Sequence, residues 1–587
     1  MISLPRPSVP AHSVGVLIVL ALAPLWLSGM FGRGLWTPDE PREADIAWRM
    51  SQQSDRTLPQ LAGTPFLEKP PLSYWVSGAA ISLFGDSAGG ARAPNLLYAM
   101  ITALAVGALA LAMQTDAVSA LIAALVAASA LTAFRVSIWL APDACLLAGS
   151  AVSLLGAWLG YRAPPGPHKA ALYTLMHFGA AIGFMAKSVP GWLVPALALI
   201  TLIVWERRWS ELRRWELYVG LTLQGLIIGP WVFAVTHTEH GADALRALFW
   251  HNVVGRFTQV AAPATLDYTT GHHNTPGKYL FELPLYLLPW TLAVAAALCR
   301  AWTRVREAGP SGTAWRFAVG SSLPFLALLS VAATARDIYA APALLGLAVL
   351  TGLWACDAQR SPTRLDQLAV TGTRTLVAAL SGVLVAALGL LIASGAGAPL
   401  VCLAAALAAG ISALTALLLA ARSQHRGDLQ RSLTWTYTGY AAALCFTALA
   451  ALPVVDRWQD LPGLARRIHA DCARQMLALL DPDETTIAIL DRGLNTRFTI
   501  LTSSAHTPRS AVTGWFSAHG REARVLVLMP GHAPGALTGW LERLHPRGPD
   551  TDGIAGSLAA SGAATLVQRY ELPQGRRYAL LGPPPVL

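Results

Sequence analysis

Residues 36–85 read WTPDEPREADIAWRMSQQSDRTLPQLAGTPFLEKPPLSYWVSGAAISLFG, a charged, Trp- and Pro-rich connection between two long apolar runs. A connection of about fifty residues between membrane spans is more often functional than passive. Thr37-Pro38-Asp39-Glu40 has the form of a helix start, with Thr37 at the N-cap, Pro38 first in the helix and Glu40 closing a capping box. On that reading Glu40 is a first-turn acid that complements the helix dipole. Asp39 is harder to dismiss, because Glu68-Lys69-Pro70-Pro71 opens a second helix at the far end of the same loop. Residues 38–52 and 70–84 are too short to span. They suit interfacial helices, where Trp and Tyr are at home, or, for 70–84, a re-entrant segment.

The rest of the chain is apolar. Of 587 residues, 54% are hydrophobic and 13% charged, about half the charge of a soluble domain. Charge clusters and helix breakers divide residues 1–453 into about thirteen candidate spans of the length a bilayer requires. They fall near 12–31, 90–112, 116–134, 143–161, 170–186, 189–205, 215–235, 279–300, 316–334, 340–356, 370–393, 398–421 and 433–453. The first run lacks a small-residue cleavage pattern and is read as a retained span. In the pair 170–205, Lys187-Ser188-Val189-Pro190 leaves little room for a loop.

Orientation follows from arginines in short loops. One side holds Arg207, Arg208, Arg213 and Arg214, then Arg300, Arg304, Arg306 and Arg316, then Arg360, Arg364, Arg422, Arg426 and Arg431. The other side has single cations, Arg135, Lys187 and Arg336. This places the first loop, the 236–278 loop and residues 454–587 outside. The net charge of +10 is thus scattered positive-inside bias with affinity for anionic membrane lipids, not a nucleic-acid face. Six dispersed cysteines imply no disulfide framework.

Several polar residues gather on the outer side. Asp143 follows Pro142, where an acid serves either as a helix N-terminal charge or as a functional group at the membrane edge. Lys187 either snorkels to the interface or is held by Pro190 and Gly191. The second large loop contains Trp250-His251 and Arg256-Phe257, and Arg336-Asp337-Ile338-Tyr339 closes a later outer end. His272 and His273, adjacent in sequence, are read as loop surface. Beyond residue 454 the charge rises. Short β-like runs at 486–490, 524–529, 565–570 and 578–581 alternate with amphipathic stretches at 461–480 and 533–545, as in a small α/β domain.

Asp39-Glu40-x-Arg42-x-Ala44, the run Phe66-Leu67-Glu68-Lys69-Pro70-Pro71-Leu72-Ser73-Tyr74-Trp75, Ala141-Pro142-Asp143, Phe184-Met185-Ala186-Lys187, Trp250-His251, Arg256-Phe257, Pro289-Trp290-Thr291 and Tyr339 with Pro342 together resemble the lipid A aminoarabinose transferases. These belong to the GT-C glycosyltransferase superfamily, with the protein O-mannosyltransferases. The resemblance runs through most of the membrane part. It implies an all-α, polytopic GT-C fold with about thirteen transmembrane helices and interfacial helices in the first loop, carrying a small periplasmic α/β domain at 454–587.

It further implies an inverting transfer of a sugar, 4-amino-4-deoxy-L-arabinose or similar, from undecaprenyl phosphate to lipid A or another envelope acceptor. The setting would be the periplasmic face of a bacterial inner membrane, with the chain acting as a monomer. Asp39 would be the catalytic acid/base, and Asp143 a second carboxylate holding substrate. Lys69, Arg256 and Tyr339 would bind the donor phosphate, with Lys187 nearby. Glu68 and His251 match positions that hold a divalent ion such as zinc. Where the family carries a lysine before the tyrosine, this chain reads Arg336-Asp337, which adds a carboxylate. The alternatives are a protein or other glycan acceptor, as in O-mannosyltransferases, or a lipid-linked sugar transporter. A transporter would place polar groups near the midplane.

Overall fold

Why these apolar stretches become helices is a matter of solvation. In hydrocarbon every backbone N–H and C=O must be paired within its own segment, and the apolar runs supply no competing polar side chains. The computed structural model describes residues 11–255, 274–333, 336–494, 497–503, 507–529 and 553–585. Among these, nine helices are long and apolar enough to cross a membrane, ten if one bent pair counts as a single span. The chain is thus a multi-pass membrane protein. Each of the thirteen expected intervals is occupied by helix.

Several intervals are less regular than expected. The 116–134 interval holds Ala117–Ser129 and Leu131–Ile138, bent by 67°. The Leu131 N–H released at that break donates to the Leu288 carbonyl. The 279–300 interval is also two helices, Lys278–Tyr286 and Thr291–Arg304, interrupted at Pro289, which has no N–H to continue the ladder. The tight 170–205 pair forms Pro167–Lys187 and Pro190–Glu206, separated by Ser188 and Val189 alone. Ser188 makes the turn with a φ of 62°.

The chain divides into two compact units. The first comprises residues 1–32, 53–59 and 65–451, and the second residues 33–52, 60–64 and 452–587. The helical first unit packs glycine against backbone. A Cβ added at Gly149 would lie 2.7 Å from the Gly179 carbonyl oxygen, and one at Gly179 would lie 2.5 Å from that of Gly149. The antiparallel helices Asp143–Arg162 and Pro167–Lys187 therefore touch backbone to backbone, the close approach that small residues permit in membranes. Gly183 and Gly191 do the same for the next helix, a Cβ on Gly183 falling 2.9 Å from the Gly191 Cα.

The second unit contains a five-stranded mixed sheet. Met476–Leu480 pairs in parallel with Phe498–Leu501 on one side and Ala523–Met529 on the other. Arg577–Gly582 joins antiparallel to Ala523–Met529, and Thr565–Glu571 forms the far edge. Two expectations fail here. Residues 486–490 belong to a helix, Glu484–Leu494, because Asp483 accepts the Thr486 N–H at 3.0 Å as an N-cap, which outweighs the β-branched run. The 461–480 stretch is a helix, Leu461–Cys472, followed by the strand Met476–Leu480. The 533–545 stretch lies outside the described residues.

Candidate active site

The helix expected from Thr37 begins at Glu40 and ends at Gln52. Thr37 does not cap it. Its N–H and hydroxyl go to Gln459 Oε1 at 3.0 and 3.2 Å. Nor is Glu40 merely a dipole charge. It is fully buried and bidentate with Arg33, at 2.6 and 3.0 Å, and it accepts the Trp36 N–H at 2.9 Å. The sequence reading missed this because a buried ion pair leaves the same pattern as a surface acid. The partner Arg33 stands seven residues upstream, outside helical spacing.

Asp39 sits in the turn just ahead, with 8% of its surface exposed. Its Oδ1 lies 3.3 Å from Arg42 Nη2. Arg42 also donates to Glu43 Oε1 at 2.6 Å and pairs with Glu484. One guanidinium thus serves three carboxylates, and Asp39 receives its longest contact. One turn on, Asp45 is buried without its own short ion pair. Burial, with the neighbouring Asp491 carboxylate, pushes its pKa up to about 8, against opposing pulls from the Ala62 N–H and Arg49. Arg49 donates to Asp491 at 2.6 Å and stays 3.9 Å from Asp45.

The remaining described candidates lie in the first unit. Asp143 is in the first turn of its helix and Lys187 is the last residue of the neighbouring one. The glycine seam between these antiparallel helices brings the two ends together. There the anion faces a positive dipole end and the cation a negative one. Lys187 Nζ pairs with Asp143 Oδ1, both side chains being mostly buried, and lies 4.4 Å from the Tyr339 ring centroid. Tyr339 is presented by a single 3-10 turn, Asp337–Ala340. Three of the expected residues therefore meet: Asp143, Lys187 and Tyr339. The added carboxylate of Asp337 is turned to Arg135, so it brings no uncompensated charge to this cluster.

Glu68 and Lys69 form a second focus. Lys69 Nζ is 3.7 Å from Glu68 Oε2 and 6.0 Å from the Phe66 ring. The preceding chain is pinned by Trp75 Nε1 and Trp231 Nε1, which donate to the Arg56 and Thr57 carbonyls at 2.8 and 3.0 Å. The helix Leu72–Phe84 follows Pro71 directly. His251 is buried on a π-helical segment, Ala247–Gly255. Its Nδ1 has no hydrogen-bond partner among the described residues. No three His, Cys, Asp or Glu side chains converge as metal ligands among the described residues. Glu68 and His251 alone do not fit a four-coordinate zinc site. Arg256, His272 and His273 lie outside the described residues.

Residues 68–233 match the family described as dolichyl-phosphate-mannose-protein mannosyltransferase. The chain is 28% identical over 346 residues to an undecaprenyl phosphate-alpha-4-amino-4-deoxy-L-arabinose arabinosyl transferase from Serratia proteamaculans, covering 59% of this chain and 60% of that protein. To its namesake from Pseudomonas paraeruginosa it is 30% identical over 380 residues, covering 64% and 65%. The chain thus matches somewhat under two thirds of the length of these relatives. Its fold is that of the ArnT from Cupriavidus metallidurans in its crystal structure with undecaprenyl phosphate: TM-score 0.68 at 18% identity, covering 97% of this chain and 98% of that one.

Proposed function

We propose that this chain, which shares its fold with ArnT and is 28% and 30% identical to two aminoarabinose transferases over 59% and 64% of its length, is a glycosyltransferase that moves a sugar from undecaprenyl phosphate to an envelope acceptor. The acceptor favoured by the relatives is lipid A, and the sugar 4-amino-4-deoxy-L-arabinose. The charge bias of the loops favours an inner-membrane protein whose chemistry faces the periplasm. The observation that carries the reading is the mostly buried polar cluster of Lys187, paired with Asp143 and lying under the Tyr339 ring, in a chain that also bears the Glu68-Lys69-Pro70-Pro71 run.

The chemistry follows from charge. As the bond from the anomeric carbon to the phosphate oxygen breaks, the electron pair leaves with undecaprenyl phosphate. Negative charge then develops in a poorly hydrated place, where fixed cations are most effective. Lys69 and Lys187 neutralise it, Arg256 adds a fork for two phosphate oxygens, and the Tyr339 hydroxyl donates to a third. Asp143 is a positioning residue that holds Lys187. An acceptor oxygen attacks the opposite face of the sugar, which inverts the anomeric centre. If that oxygen is a hydroxyl, its proton passes to Asp39. If it is a phosphate oxygen, already ionised near neutral pH, Asp39 orients the acceptor instead.

The match at 68–233 favours a second reading, transfer to a protein hydroxyl. Purified protein given a labelled undecaprenyl-phosphate sugar separates the two. Label in lipid A supports the first reading. Label in protein alone supports the second, and label in neither removes both.

A further inference from the structure

The helices Arg364–Ala393 and Pro399–His425 form a hairpin whose outward faces are largely unburied, with Leu368, Ile411, Leu414 and Leu418 each more than half exposed. In a membrane this hairpin borders lipid. Between its arginine-rich ends lies a cavity of about 400 Å³, lined chiefly by Arg364, Gln367, Thr371, Arg374, Gln424 and His425, with no acidic residue on its wall.

Arg374 is the unusual member. It sits inside an apolar helix, about 15 Å along from the helix start at the usual rise per residue, where an arginine is costly unless something compensates it. Among the described residues its one hydrogen bond is from Nη1 to Gln424 Oε1, at 2.6 Å. Gln424 is itself fixed, donating to the Gln367 carbonyl at 2.9 Å and to Thr371 Oγ1 at 2.8 Å. Asp366 on the same helix and Asp357 on the helix before it are committed elsewhere. Asp357 takes Arg300 and Arg304, and Asp366 takes Arg300 and the Trp354 indole. No carboxylate stands within ion-pair distance of Arg364 or Arg374 among the described residues.

Two guanidiniums and an imidazole therefore line a polar recess that opens beside apolar helix surface. A free anion would use only the recess. A phospholipid would use both, its phosphodiester among the arginines and its acyl chains along Leu368 and Leu418. We propose that this recess is a binding site for the headgroup of an anionic phospholipid, separate from the sugar-transfer site.

The test uses the full chain purified in detergent, with native mass spectrometry counting retained lipid. The probes are phosphatidylglycerol, phosphatidylcholine and inorganic phosphate. The expected result is preferential retention of phosphatidylglycerol, weakened roughly fivefold by each of Arg374→Gln and Arg364→Gln and not displaced by inorganic phosphate. Arg364→Gln, at the helix start, serves should Arg374→Gln not fold. Retention unchanged in the variants, equal retention of phosphatidylcholine, or displacement by inorganic phosphate would overturn the proposal.

Discussion

Lys187 closes one helix and Asp143 opens its antiparallel neighbour, and their side chains form a mostly buried ion pair. Removing one partner leaves the other charged and poorly solvated. Lys187→Met should therefore destabilise the protein by about 3–5 kcal/mol. The double variant Lys187→Met with Asp143→Leu should recover much of that stability yet not recover transfer. Thermal unfolding and donor kinetics measured on the same preparations check both halves. Recovery of transfer in the double variant would show the pair to be structural only.

The glycine seam sets where that pair stands. Because a Cβ at Gly149 meets backbone rather than a movable side chain, Gly149→Ala must push the helices apart. The expected cost is about 1–3 kcal/mol, as for other overpacked sites. Displacing Lys187 should also raise the donor KM more than it lowers kcat. A Gly149→Ala protein with unchanged melting and KM would place the seam outside the site's support.

Much of this was legible from residues alone. The apolar intervals and the mixed-charge first loop follow from local composition, and the loop charges put Asp143, Lys187 and Tyr339 on one side, but grouping those three in one site rested on the resemblance to the aminoarabinose transferases. What escaped was set by distant partners. Glu40 looks like a dipole acid until Arg33 is seen on it. Residues 486–490 look like a strand until Asp483 caps them as a helix. The single Asp337 looked like unwelcome charge until Arg135 answered it, 202 residues away. Long-range ion pairs carry no periodicity for a sequence to display.

Asp45 makes stability depend on pH. Its folded pKa, raised to about 8 from the ordinary 3.8 by burial and by Asp491, means that the folded protein keeps a proton the unfolded chain gives up. That stabilisation is complete below the ordinary value and is lost as the pH rises towards 8. The melting temperature should therefore fall between about pH 5 and 8, and Asp45→Asn should flatten that slope. An identical slope in the variant would assign the pH dependence to other groups.

Arg42 joins Asp39, Glu43 and Glu484. Arg42→Ala should cost about 3–5 kcal/mol by leaving buried carboxylates without their cation, whereas Arg42→Lys, which cannot fork between several acids, should keep part of the stability. Melting curves of the two variants test this; equal losses would mean that the forked geometry is immaterial.

The proposed chemistry is tested most directly by sugar transfer from a labelled undecaprenyl-phosphate donor to lipid A, with the wild-type chain and Asp39→Asn side by side. The wild type should label the acceptor while the variant, still folded, should not. Labelling at the wild-type rate by Asp39→Asn, or none by the wild type with any envelope acceptor, would contradict it.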